Sequence, residues 1–268
     1  MKVFALITSL SIMIITSCSA QNTTEPAGDE SSLTVLSYNI HHSNPPTAGG
    51  LIDLESIAAV IMESEADIVG LQEVDIFTER SGKDLHMAKE LAEMTGMDYF
   101  YFSKGIDFQG GEYGTAILSK FPLGEMETIP LPSPEGTEPR TLSLAKILHP
   151  ALGEIYFANT HLDYTSVENS LAQAKKITET LAPKQQPVVM VGDFNAEPSS
   201  ETIQFLDEYY IRTCGNSCAP TIPVVNPTKA IDFIMYSKEM GISTQSHEVI
   251  PESYASDHLP VKAVLNFE

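Results

Sequence analysis

The sequence has no tryptophan, only three cysteines and few cations: 15 Lys plus Arg stand against 36 Asp plus Glu, for a formal charge of −21. Three cysteines in 268 residues exclude a disulfide-framework miniprotein. The shortage of Lys and Arg argues against a broad basic face that grips nucleic acid, because counterion release needs clustered cations. A local phosphate site that recruits a divalent cation stays open. What is present is ordinary for a globular protein: 43% apolar and 19% charged residues. The length suits one large domain or two small ones.

The N-terminus reads as an export signal: Lys2, then an apolar run from Val3 to Ile15 that falls short of the about 20 residues a membrane span needs. It ends in Ile15-Thr16-Ser17-Cys18, which resembles the bacterial lipobox. This predicts a signal over 1–17, an acylated Cys18 that anchors the protein to a membrane, and a flexible tether over 18–32. Ordinary cleavage after Ala20 is the alternative. Either way the protein is expected outside the cytoplasm, lipid-anchored to the bacterial membrane or cell surface, or periplasmic. Cys214 and Cys218 fit export: their spacing permits a small disulfide loop. The rival is a zinc half-site, for which no second Cys or His pair is nearby.

From Leu33 onward no composition break marks a second domain, so 33–268 reads as one unit. Apolar, β-rich segments predict strands at Leu33–Ile40, Asp67–Val74, Tyr99–Ser103, Gly114–Ser119, Glu125–Pro130, Thr141–Leu148, Glu154–Thr160 and Pro187–Val191. Three more follow at Ile231–Tyr236, Gly241–Val249 and Val261–Phe267. Helical spacing appears over Asp53–Glu65, with Asp53 as N-cap, over Asp84–Thr95 with Gly96 as C-cap, over Val167–Leu181, and near Ser200–Leu206. Helices mixed with consecutive strands suggest two packed sheets flanked by helices.

Several of these apolar strands end in polar groups: Asn39, Glu73, His161, Asp193 with Asn195, Asp232, and Asp257 with His258. Buried carboxylates are costly unless paired, hydrogen-bonded or bound to metal. A turn or cap explains one such strand end, but six in one domain suggest a shared site. Oxygen donors in that number suit Mg²⁺, or Mn²⁺ or Ca²⁺, whereas zinc prefers more His or Cys.

Seven motifs in order carry a family resemblance: Ser37-Tyr38-Asn39-Ile40, Leu71-Gln72-Glu73-Val74, Tyr113 to Ser119, Asn159-Thr160-His161-Leu162-Asp163, Gly192-Asp193-Phe194-Asn195, Ile231-Asp232-Phe233 and Ser256 to Val261. Over Leu33 to Phe267 the chain resembles the endonuclease/exonuclease/phosphatase superfamily, which includes DNase I and neutral sphingomyelinases. The resemblance implies an α+β fold, a four-layer α/β/β/α sandwich, with the site at one edge of the sheets. It also implies metal-dependent hydrolysis of a phosphoester. Glu73 would be the principal metal ligand, with Asn39 and Asp257 completing the shell. Asp193 would orient and deprotonate water, with Asn195 holding it or donating to the phosphate, and Gly192 would allow the tight turn there.

His258 would contact a phosphoryl oxygen while Asp232 accepts its other N–H. His161 would contact phosphate or assist the leaving group, with Asp163 as its partner or as a solvated turn acid. Arg140 would clamp a phosphate oxygen or form a surface ion pair. His41 and His42 line the mouth or have no role. Thr115 and Ala230 stand where relatives often carry Asn and a basic residue, which weakens the case for a polyanionic substrate. The resulting expectation is a monomeric phosphodiesterase or phosphatase acting on a small or lipid-linked phosphoester. A secreted nuclease is the alternative enzyme, with nucleic acid disfavoured as a partner. A catalytically silent surface protein is the alternative of another class. Asn44–Gly50, Gly105–Glu112, Pro132–Pro139 and Gly215–Thr228 are expected to shape the pocket.

Overall fold

The computed structural model describes Met1 and residues 31–268; the expected export signal, Cys18 and most of the expected tether lie outside the described residues. The elements run β1 (Ser32–Asn39), α1 (Leu54–Glu63), β2 (Ile68–Ile76), α2 (Met87–Thr95), β3 (Tyr99–Phe108), β4 (Gly111–Ser119), β5 (Leu123–Pro130) and β6 (Thr141–His149). They continue with β7 (Gly153–His161), α3 (Val167–Leu181), β8 (Val188–Asp193), α4 (Glu201–Leu206), β9 (Tyr210–Arg212), β10 (Asp232–Ser237), β11 (Ile242–Val249) and β12 (Val261–Phe267). Two six-stranded sheets result, ordered β11-β12-β1-β2-β4-β3 and β5-β6-β7-β8-β10-β9. Each sheet holds one parallel pair, β1 with β2 and β7 with β8. A parallel pair needs a crossover, and α1 and α3 supply them.

Local chemistry sets the helix ends. The Asp53 side chain accepts the Ser56 N–H and starts α1, whose Leu54, Ile57, Ala58 and Ile61 are buried. The second helix begins at Met87 rather than Asp84, because Leu85 accepts the Phe77 N–H and His86 still pairs with Ile76. Gly96 ends it in the left-handed conformation that glycine adopts without steric penalty.

Three apolar clusters define four layers. One packs α1 and α2 on the first sheet, including Leu36, Tyr38, Ile57, Val69, Leu71 and Leu91. A second packs α3 and α4 on the other sheet, including Ala174, Ile177, Met190, Phe194 and Phe233. The third fills the space between the sheets with Val35, Ile68, Ile117, Phe157, Val189, Val191 and Ile234. This is the α/β/β/α sandwich of the DNase I-like fold.

Strand alternation then decides which polar residues meet. Successive side chains point to opposite faces, so Asn39 shares the inner face with Leu33 and Val35, and His161 shares it with Ile155 and Phe157. By the same parity Asp193 follows Val189 and Val191, and Asp232 precedes Ile234. The register aligns Asn39 with Gln72, His161 with Asp193, and Asp193 with Asp232. All therefore gather at one edge, at the carboxyl ends of the parallel pairs. Glu73 reaches it differently. Its parity matches Val69 and Leu71 on the helix side, but the register shifts between Leu71 and Val74, and Glu73 has φ +57°. This β-bulge turns its side chain back toward Asn39.

Just beneath that edge the sheets are joined by buried amides. Gln72 Nε2 donates to Asn159 Oδ1 at 2.7 Å, and Asn159 Nδ2 donates to the carbonyls of Leu71 and Ala116 at 2.9 and 2.8 Å. Gly70 permits the close approach, since a Cβ there would lie 2.2 Å from Val191 Cγ2. Gly192 is a strand residue rather than a turn: its Cβ would lie 2.3 Å from the Thr160 carbonyl oxygen on the neighbouring parallel strand. Gly105–Glu112 is likewise a hairpin formed by β3 and β4 and not an open loop.

Candidate active site

Asp193 stands at the centre of the edge. Asn39 Nδ2 donates to Asp193 Oδ2 at 3.0 Å and to Glu73 Oε1 at 3.1 Å, so one amide bridges the two carboxylates. The Asn39 oxygen accepts the His41 backbone N–H at 3.1 Å, which leaves it one lone pair to offer an ion. Asp193 Oδ1 accepts the Asn195 backbone N–H at 2.9 Å, while Asn195 Nδ2 donates to the Leu162 carbonyl at 3.0 Å. The ring nitrogens His161 Nε2 and His258 Nε2 stand 3.5 and 3.7 Å from Asp193 Oδ2. His258 turns its Nδ1 to Asp232, 3.0 Å from Oδ2, and Asp232 also accepts from the Thr221 hydroxyl. Ser256 fixes the last loop against β1 by donating to the Asn39 carbonyl at 2.7 Å.

Burial and charge set the protonation states. Burial, reinforced by the Asp232 charge, pushes the Asp193 carboxyl up to about 7, against the opposing pull of His258 and two hydrogen bonds. Burial pulls His258 down, but the Asp232 charge and hydrogen bond, then Asp193 and Asp257, push it up to about 10. His258 is thus an imidazolium between two carboxylates at neutral pH. His161 takes the opposite course: burial, with Arg140 and His258 beside it, holds it well below the ordinary range as a neutral ring. Burial raises Glu73 above the usual carboxylate range, and Asp257 adds to this, while the Asn39 hydrogen bond opposes it.

The remaining expected residues divide. Arg140 is buried, pairs with Glu138 at 3.1 Å, and lines a cleft with Tyr113, Thr115 and His161. Its Nε has no partner. Asp257 lies outside the two closest ligand groups, His41-His42-Glu73 and Asp193-Asp232-His258, but its charge acts on both Glu73 and His258. Asp163 is not a partner of His161. It accepts from Thr165 and Asn169 and so caps the turn into α3. The Thr115 hydroxyl hydrogen-bonds with that of Ser143 on the opposite sheet. Cys214 and Cys218 form a disulfide. A second cleft, lined by Tyr164, Asn195, Glu197, Ile222, Pro223 and Lys229, opens on the other side of Asn195. Its Tyr164 and Lys229 carry no motif signal, and nothing local in the sequence singles them out.

Glu73 and Asp193 sit side by side, joined by a neutral amide, and among the described residues neither forms an ion pair with Lys or Arg. Two adjacent carboxylates, Asp193 buried and Glu73 half-buried, with the His258 imidazolium 3.7 Å from Asp193 and, among the described residues, no Lys or Arg on either, match the donor chemistry of a divalent ion. The residues fit such an ion.

A two-sheet sandwich that gathers Asn, Glu, Asp and His at one edge defines the class of DNase I-like phosphoester hydrolases. The sequence model of the Endonuclease/Exonuclease/phosphatase family matches residues 36–258. The chain belongs to this family, whose members hydrolyse phosphoester bonds and often depend on a divalent metal. A sequence comparison with curated proteins returns no significant match. Among solved structures, a family protein from Beutenbergia cavernae superposes with TM-score 0.74 at 24% identity, over 88% of this chain and 72% of its own. A mannosyl-6-phosphatase from Bacteroides thetaiotaomicron gives 0.72 at 23%, over 88% of this chain and 100% of its own. The catalytic domain of human Nocturnin, with bound sulfate, gives 0.68 at 20%, over 89% and 94%.

Proposed function

We propose that this protein is an exported, lipid-anchored phosphodiesterase or phosphatase that uses a divalent cation, Mg²⁺ or Mn²⁺, on a small or lipid-linked phosphoester. The carrying observation is Asp193, a carboxyl poised near neutrality between Asn39, His161 and the His258–Asp232 pair. A base with that pKa accepts a proton from water without holding it too tightly. The Asn195 backbone N–H fixes one carboxylate oxygen, while the other accepts from Asn39 and faces the Nε2 atoms of His161 and His258. His258, charged and held by Asp232, supplies an N–H to a phosphoryl oxygen. Neutral His161 and Arg140 share a cleft, where the ring donates to the ester oxygen and the guanidinium clamps a second phosphoryl oxygen. Glu73, Asn39 and Asp257 would hold the cation, which when bound neutralises phosphoryl charge and favours ionised Asp193.

Small substrates are favoured by the scarcity of cations: Arg140 and Lys229 are the basic residues lining the two clefts, on a chain of charge −21. A polyanion engages many more phosphates than two cations can neutralise. A sugar phosphatase among the fold neighbours agrees with this choice. Export and the Cys18 anchor rest on residues 2–18, and the protein is taken to act as a monomer. The test offers a sugar phosphate, a glycerophosphodiester and plasmid DNA to the purified protein with Mg²⁺, with Mn²⁺ and with EDTA. Turnover of a small ester that EDTA abolishes is expected. Plasmid cleavage well above the small esters would replace this reading with a nuclease, and no hydrolysis of any ester would leave a silent surface protein.

A further inference from the structure

Two histidines outside the machinery above stand against Glu73. His41, His42 and Glu73 each present one ligating atom, and the three atoms lie within 4.8 Å of one another. His41 Nδ1 lies 2.8 Å from the Asn44 carbonyl oxygen. A carbonyl only accepts, so Nδ1 carries the proton and the lone pair is on Nε2. A ligating imidazole takes this arrangement, with one nitrogen tied to a carbonyl and the other free for an ion. His42 Nδ1 is buried without a hydrogen-bond partner, an unmet polar atom in the same group. The backbone agrees: His41, His42 and Ser43 have φ of +45°, +44° and +57°. Glycine is the ordinary residue there, and other side chains are retained where their chemistry is needed.

We propose that His41 and His42 join Glu73 in holding the cation, and that the site therefore takes Mn²⁺ or Zn²⁺ more tightly than Mg²⁺. The proposal rests on the preceding reading only in making Glu73 a ligand. Two imidazoles and a carboxylate form a mixed nitrogen–oxygen donor set that suits first-row transition metals, whereas Mg²⁺ prefers oxygen and keeps its water. Neighbouring charge permits a dication. Asp257 acts on both Glu73 and His42, and the nearby Arg80 guanidinium is neutralised by Asp75 through contacts of 2.7 and 2.9 Å.

The test titrates the full metal-free chain with Mn²⁺, Zn²⁺ and Mg²⁺ by calorimetry, for the natural protein and for His41→Gln, His42→Gln and Glu73→Gln. Spin-echo spectra of the Mn²⁺ form report nitrogen ligands directly. Each histidine variant is expected to lose about 10–100-fold in Mn²⁺ and Zn²⁺ affinity, with Mg²⁺ affinity nearly unchanged. Nitrogen coupling to Mn²⁺ should weaken in each. If His42→Gln does not fold, His42→Gly suits the backbone there and replaces it. Unchanged Mn²⁺ and Zn²⁺ affinity in both histidine variants, with binding lost in Glu73→Gln, overturns the proposal and leaves the preceding reading standing. Lost turnover at unchanged metal affinity assigns the histidines to substrate and also overturns it. Failure of the natural chain to bind any divalent cation removes both.

Discussion

The His258–Asp232–Asp193 cluster makes the stability of the metal-free protein depend on pH in a definite direction. His258 is held up to about 10 from an ordinary 6.5, so between those values the folded state binds a proton that the unfolded state has released. Stability must then fall as pH rises, and its contribution is fully present only below pH 6.5. Each tenfold drop in proton activity across that window costs about 1.4 kcal/mol, so the single-site linkage function removes about 2–3 kcal/mol between pH 7 and pH 9. Asp193, raised to about 7, acts with the same sign but mostly below this window. His42, His86, His161 and His247 are all shifted downward. Their stabilising effect rises with pH only up to the ordinary histidine range and is flat above it, so His258 dominates the slope over pH 7–9, and Glu73, also raised, acts with the same sign. Urea unfolding in EDTA, followed by circular dichroism because the chain lacks tryptophan, measures the slope. His258→Gln and Asp232→Asn should each flatten it, whatever their absolute stability. A flat or rising profile in the natural protein, or an unchanged slope in both variants, refutes the charge assignment.

Two further outcomes follow from the same geometry. Asp193→Asn should cut hydrolysis by at least about 10²-fold, the usual scale for a general base. Its thermal midpoint in EDTA should hold or rise, because the natural carboxyl is destabilised by burial, and a large fall would show that Asp193 is structural. Gly70→Ala should cost about 1–3 kcal/mol by overpacking, since its Cβ would meet Val191 Cγ2 at 2.2 Å. Adding Val191→Ala should recover part of that loss in a double-mutant cycle, and strict additivity would contradict the contact.

How much of this was legible in the sequence depends on whether alternation or backbone irregularity placed the residue. Asn39, His161, Asp193 and Asp232 each stand two residues along a strand from an inner-face position, so period two alone puts them on the inner faces at the same edge. Their convergence could be anticipated from residue types. Glu73 could not be placed so, because strict alternation sends it toward α1 with Val69 and Leu71, and only the bulge returns it. The left-handed run at His41–Ser43 contains no glycine to signal it. The short strand β9 offers three residues, too few for any period to show. Asp163 looked like a partner for His161 because the two are neighbours in one motif, but local turn chemistry claims it first.

The two kinds of placement bear different energetic loads. Alternation carries the inner face from apolar Val35, Phe157 and Val191 to polar Asn39, His161 and Asp193 within one or two strand steps. The boundary is sealed by the amides of Gln72 and Asn159, which close on each other and on the carbonyls beside the bulge. This polar seam separates a dry core from a charged cleft with its amide donors paired, Gln72 Oε1 alone of the two amides lacking a partner. Beyond it, among the described residues, Glu73 has no Lys or Arg partner and Asp193 shares the His258 imidazolium with Asp232, so an ion that binds only the folded state stabilises the fold through the same groups that carry the chemistry.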